Sequence, residues 1–229
     1  MEMNAKQYSY IQPSATIDSH HPTVSTFARE NAGDGRDFRQ KAIQLFYAVR
    51  DGIRYDPYSI ELTVEGLKAS HTLRIGKGWC VPKAILLAAG CRAMGIPARL
   101  GFADVRNHLS TARMRDAMKT DIFYWHGYTA IYLDGTWVKA TPAFNIELCE
   151  RFRIQPLDFD GRNDAIYHPL DLNGNRHMEY LQYRGEFPDA PIDQIIETFS
   201  QEYVLTPSLD SADFDHDAIR ETAPNRYID

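Results

Sequence analysis

Only three of the 229 residues are cysteine, Cys80, Cys91 and Cys149, an odd number that cannot all be paired. This excludes a disulfide framework, and in a reducing compartment free thiols are the default. No two cysteines form a C-x-x-C pair and none lies with histidine at zinc-finger spacing, so a structural metal is not expected. Long apolar runs are missing too, far short of the roughly 18 residues a membrane span needs. The opening MEMNAKQYSYIQPS has neither a basic start nor an apolar stretch for export. Together these absences point to a cytoplasmic protein with no membrane partner. Lysine and arginine form no run that would track phosphates, and 25 of them against 31 acids leave a net charge of −6. Nucleic acid is therefore not an expected partner.

What is present is the composition of a globular chain, 44% hydrophobic and 24% charged in 26.2 kDa, with no internal repeat and no linker that would split it. Residues 1–35 mix Ser, Thr, Pro, His and Gly and suggest an extended N-terminal arm or edge strand ending at Gly33-Asp34-Gly35. From Phe38 the apolar positions Ala42, Leu45, Phe46, Val49 and Ile53 recur every three or four residues, with Asp37 as a cap and Gly52 at the close. The spacing predicts an amphipathic helix. Residues 58–78 read as short helix and loop. A second helix opens at Trp79-Cys80 and stops at Gly95, and it is apolar nearly all round. Such a helix is buried on most sides and belongs at the centre of the domain.

Ala98 to Ala103 has strand character, and a short helix is expected near Thr111 to Met118. Phe123 to Leu133 and Thr136 to Ala140 are aromatic and β-branched segments joined by Asp134-Gly135, a two-residue hairpin signal. Pro142 should end the second strand. Beyond Asn145 the pattern weakens, with loops and a helix from Ile192 to Tyr203. Residues 205–229 hold six acids and two bases and read as a solvated or surface-draped tail. The expected organisation is an arm over 1–35, a core over 36–145, and a C-terminal extension over 146–229 packed on that core.

Cys80 stands where an activated thiol would be placed. The first turn of a helix aims unpaired N–H groups and a partial positive charge at the sulfur, and the same amides suit the oxyanion of an acyl-transfer intermediate. Cys91 lies mid-helix and reads as core, and Cys149 has carboxylate neighbours that oppose a thiolate. The informative base is His126, which interrupts a half-buried strand. With a two-residue turn, Leu133 faces Thr136, His126 faces Ala143, and Thr141 and Asn145 are diagonal neighbours of the imidazole. Either could accept a hydrogen bond from its far nitrogen. The remaining histidines, His20, His21, His71, His168, His177 and His216, read mostly as solvent-facing. His108 reads as structural, and Arg99 and Arg106 as partners of surface carboxylates.

Gly78-Trp79-Cys80 opening an apolar helix, Arg92-Ala93-Met94-Gly95-Ile96-Pro97-Ala98-Arg99 closing it, and the run from His126 to Val138 together resemble the core of the transglutaminase-like superfamily across residues 36–145. The resemblance implies an α+β, papain-like fold with a central buried helix packed on an antiparallel sheet. It implies Cys80 as nucleophile and His126 as proton shuttle, acting on a peptide, protein or small amide substrate through a thioester, with no cofactor and no metal. The family's third residue, usually Asp, falls at Thr141. A hydroxyl keeps an acceptor for the imidazole but removes the charge that stabilises imidazolium. That departure raises the alternative of a non-catalytic binding or scaffold domain that retains the fold. No EF-hand-type loop is present to suggest calcium-dependent cross-linking. Trp79 is expected to wall the site, and Tyr167, His168, Tyr180 and Arg184 to cover or shape it.

Overall fold

The computed structural model of the chain describes residues 5–35, 37–108, 110–167, 170–203 and 212–222. Helix α1 (Ala5–Ser9) precedes α2 (Pro22–Asn31), which starts on a proline and buries Val24 and Ala28. The N-terminal region is thus helical where an extended arm was expected, because its few apolar residues fall on one helical face and pack on α3 and on the central helix. Helix α3 (Phe38–Gly52) begins as the sequence indicates, the Asp37 carboxylate accepting the Arg39 N–H, and buries Ala42, Leu45, Phe46 and Val49.

Strand β1 (Arg54–Tyr55) is followed by α4 (Val64–Leu67), α5 (Ala69–Ile75) and β2 (Lys77–Gly78). β1 and β2 form a two-residue parallel ladder, Arg54 beside Lys77 and Tyr55 beside Gly78, so the residues just before Cys80 are tied to the main body. Helix α6 (Cys80–Ala93) buries every residue from Cys80 to Arg92. It packs on β3 (Ala98–Asn107) and β4 (Ile122–Leu133) on one side and on α2, α3 and α5 on the other. Between those strands lies α7 (Ala112–Met118), capped by Thr111.

Strand β5 (Thr136–Ala140) pairs with β4 in the register expected from the turn, Leu133 opposite Thr136 through Thr129 opposite Ala140. Asp134 and Gly135 both have positive φ, 48° and 92°, as a type I′ turn requires. Pairing then stops. Proline at 142 cannot donate to a ladder, and Thr141 N–H turns to the Ala165 carbonyl instead, so the expected opposition of His126 and Ala143 does not form.

The C-terminal third holds α8 (Ile146–Phe152), β6 (Met178–Phe187), α9 (Ile192–Glu202) and α10 (Phe214–Thr222). β6, not anticipated from the sequence, adds to β3 and completes a four-stranded antiparallel sheet in the order β5-β4-β3-β6. The chain is α+β, with helix α6 packed on this sheet. Part of the acidic tail is also ordered: α10 buries Phe214 and Ala218 against the body, while 204–211 and 223–229 lie outside the described residues. No helix among the described residues is long and apolar enough to cross a membrane.

Lys83, one turn into α6, is fully buried and donates from Nζ to the Arg50 carbonyl at 2.9 Å and to the Ile53 carbonyl, both at the end of α3. Burial drives its pKa from 10.5 down to about 7, against the pull of Asp51 and Cys149. Between those values the unfolded chain holds a proton that the folded chain lacks. Stability should therefore rise with pH above about 7, by at most about 1.4 kcal/mol per pH unit from this group. Lys83→Met should flatten that rise in urea midpoints measured from about pH 7 to 8.5.

Candidate active site

Cys80 is the first residue of α6, with Trp79 as its extended N-cap. The helix start meets β4 at Gly127, where an added Cβ would stand 3.2 Å from Val81 Cα and Cγ2. The two backbones come this close with no side chain at 127, and adding one would push them apart by a few tenths of an ångström. As a result three backbone N–H groups act on the Cys80 sulfur: those of Gly127, Val81 and Cys80 itself. They favour the thiolate, yet burial outweighs them and pushes the thiol from 9.0 up to about 11. The side chain is 7% exposed.

His126 precedes Gly127 in β4 and is enclosed, its ring 5.9 Å from that of Tyr167. Burial, with a smaller contribution from His177, lowers its pKa from 6.5 to about 4. The strand is bulged just before it. β3 and β4 pair Ala103 with His126 but Val105 with Phe123, and the extra residue Trp125 adopts a left-handed φ of 59°. For a non-glycine residue that conformation costs about 1 kcal/mol or more.

Thr141 sits at the end of β5, 1% exposed. Its Oγ1 and His126 Nε2 are both buried without a hydrogen-bond partner among the described residues. Asn145 is committed elsewhere: Oδ1 accepts the Tyr55 N–H at 3.1 Å and Nδ2 donates to Glu147 at 2.7 Å. Of the two candidates for the far imidazole nitrogen, Thr141 alone has an unused oxygen. Cys91 and Cys149 are buried thiols whose pKa burial raises to about 12, as core positions imply.

A narrow apolar cleft runs beside Cys80 between Tyr55, Ile60, Trp79, Met118, Phe199 and Tyr203. Its outer wall comes from α9 and the residue after it. Phe199 packs on Trp79 at 6.0 Å and on Tyr203 at 4.7 Å. The Tyr203 hydroxyl accepts the Tyr124 N–H at 2.8 Å and donates to the Ile122 carbonyl at 3.2 Å, on the stretch of β4 that β5 does not reach. The C-terminal region thus covers the sulfur, as expected, but largely through residues the sequence did not single out. Of those it did, Tyr167 contacts His126 and its N–H bonds to Tyr180, while His168 lies outside the described residues. Their signal was the apolar face of Ile192 to Tyr203, visible as a helix but not as a cover.

The other histidines divide. His177 is fully buried rather than solvent-facing, among Tyr167 and Phe144. His108 bonds Glu179 at 2.7 Å, a structural role. Arg99 pairs with Glu186 and stacks on Trp137, and Arg106 pairs with Asp121. Among the described residues no three His, Cys, Asp or Glu side chains converge as a metal site requires.

The unfolded imidazole protonates near 6.5 and the folded one only near 4. Acidification through that window therefore favours the unfolded chain, and the stability present above 6.5 is lost as the pH falls. Replacing His126 with Gln should make the urea midpoint less sensitive to acid between those values.

No curated protein matches the sequence. Among solved structures, one named "Putative Cysteine Protease" from Cytophaga hutchinsonii is 16% identical, with a TM-score of 0.49, covering 81% of this chain and 55% of its own. A second, named "Putative Protease" from Parabacteroides distasonis, is 18% identical, with a TM-score of 0.39, covering 59% of this chain and 26% of its own. The chain therefore spans about half the length of the first of these. The profile of the transglutaminase-like superfamily matches residues 25–142, more than half of the chain and inclusive of Cys80, His126 and Thr141, and the protein belongs to that superfamily.

Proposed function

We propose that the protein is a cysteine-dependent hydrolase or acyltransferase of amide-like substrates, peptide or glutamine-type, with Cys80 as nucleophile, His126 as general base and Thr141 orienting the imidazole. The observation that carries the reading is Cys80 at the first turn of the buried helix α6, with that turn packed against the backbone of β4 at Gly127, the residue next to His126. In the proposed reaction Sγ attacks the carbonyl carbon while the thiol proton passes to His126. Backbone N–H groups at the start of α6 receive the oxyanion. Collapse of the tetrahedral intermediate gives a thioester, and the departing amine takes the proton from His126. Water, activated by the imidazole, then releases the acid, and an amine in its place would complete a transfer. We favour water, and a cytoplasmic setting, as parts of the same proposal.

Thr141 Oγ1 and His126 Nε2 are both buried and unbonded among the described residues, so the orienting bond is not made in the covered site and would have to form when the cleft opens. The neutral forms favoured by burial describe the covered site, and lifting Tyr203 and Phe199 would rehydrate the sulfur and let the helix N-terminus act on it. The groove beyond Trp79, lined by Tyr58, Ile60, Glu61, His71 and Pro82, would take the remainder of a peptide.

A second reading, a binding domain that has lost catalysis, is favoured by the raised thiol, the lowered imidazole and the hydroxyl at 141. The two separate on acylation by p-nitrophenyl acetate. A catalyst accumulates an acetyl group on Cys80 in intact-mass spectra and releases it, with His126→Ala slower by about 100-fold or more and Cys80→Ala inert. Turnover that survives Cys80→Ala, or a wild-type sulfur indifferent to loss of His126, would leave the binding reading. Tyr203→Ala should speed iodoacetamide alkylation of Cys80 severalfold at neutral pH and move its midpoint below about 11.

A further inference from the structure

The bulge before His126 has an identifiable clamp. Two residues of β4, Tyr124 and Trp125, stand opposite Asp104 alone in β3. Asp104 is 3% exposed, and its Oδ1 accepts the Trp125 N–H at 3.1 Å. Arg184 of β6 locks the carboxylate, with Nε 2.9 Å from both oxygens and Nη2 2.8 Å from Oδ2. The same guanidinium lies over the Trp125 ring, 5.1 Å from its centroid, and the indole N–H donates to Thr198 at 2.9 Å. The backbone and the ring of the left-handed residue are therefore gripped by one ion pair.

We infer that Asp104, locked by Arg184, is the positioning residue for His126: it holds the bulge that sets where the imidazole leaves β4. The inference rests on His126 being the general base. Without an acceptor for its N–H, Trp125 would keep a buried unpaired donor and an unfavourable φ. The strand would gain by reverting to a regular ladder, and a one-residue change of register sends side chains to the opposite face. A carboxylate suits this task because a charge-assisted, two-pronged bond to arginine fixes orientation as well as distance. A tie that only joined β3 to β6 would need neither the Trp125 bond nor the stacking on its ring.

The test follows the His126 ring itself, by its titration midpoint and tautomer in 15N-edited NMR of the full chain, with His126→Ala for assignment. Asp104→Asn keeps an oxygen for the Trp125 N–H but gives up the two-pronged bond to Arg184, and should shift both less than Asp104→Ala does. Asp104→Ala should move the midpoint toward 6.5 by about one unit or more and mix the tautomers. A folded alanine variant with a wild-type His126 signal overturns the inference. Should that variant not fold, Arg184→Gln removes the lock while keeping Asp104, and an unaltered signal there is equally decisive. Failure of the catalytic reading looks different: His126→Ala leaves the acylation of Cys80 unchanged, while the NMR shift in Asp104→Ala stands or falls separately.

Discussion

The first turn of α6 rests directly on the backbone of β4, and the site follows from that contact. A bare Cα at 127 lets Val81 approach, which brings Cys80 to the unpaired edge of the strand carrying His126. The helix is held there by burial on every side, its apolar surface shared between a sheet and the helices α2, α3, α4 and α5. The same enclosure that fixes the geometry also removes water from both titratable groups. Helix field and amide donors pull the sulfur toward the anion, desolvation pulls it back, and in the covered arrangement desolvation prevails.

Local signals in the sequence were read correctly where one short-range rule governs. Asp37 caps α3, Asp134-Gly135 sets the hairpin register, and the all-round apolarity from Cys80 to Met94 makes that helix central. The placement of Cys80 at a helix start and of His126 in the neighbouring strand was legible through their order and spacing. What escaped depends on partners distant in sequence. β6 lacks an alternating pattern because it is a bulged edge strand with much of its surface exposed. Phe214 looks like an isolated residue in an acidic tail until Tyr55 and Tyr58 receive it. Asp104 lies just past the stretch with strand character, and nothing local pairs it with Arg184, 80 residues away. The expected ladder beyond Ala140 failed for a local reason, Pro142, whose effect reached one residue earlier than the proline itself.

Thr141 shows how a departure from the family pattern is accommodated. A carboxylate at that enclosed position would bring a desolvated charge into a site where the thiol and the imidazole are both neutral. A hydroxyl costs less to bury and still offers an oxygen. On the proposed catalytic reading, the protonated base would receive no fixed negative charge at 141, so more of the stabilisation at the moment of attack would fall to the sulfur and to the amides around it.

Phe199 and Tyr203 line the cleft beside Cys80 with the chain's own aromatic rings. A ligand bound there would have to displace them, and its apparent affinity would be the intrinsic affinity scaled by the fraction of molecules with the cleft vacant. At about one part in a hundred vacant, every ligand would bind about a hundredfold more weakly. Long ligands that replaced the lost ring contacts would recover that factor and small ones would not.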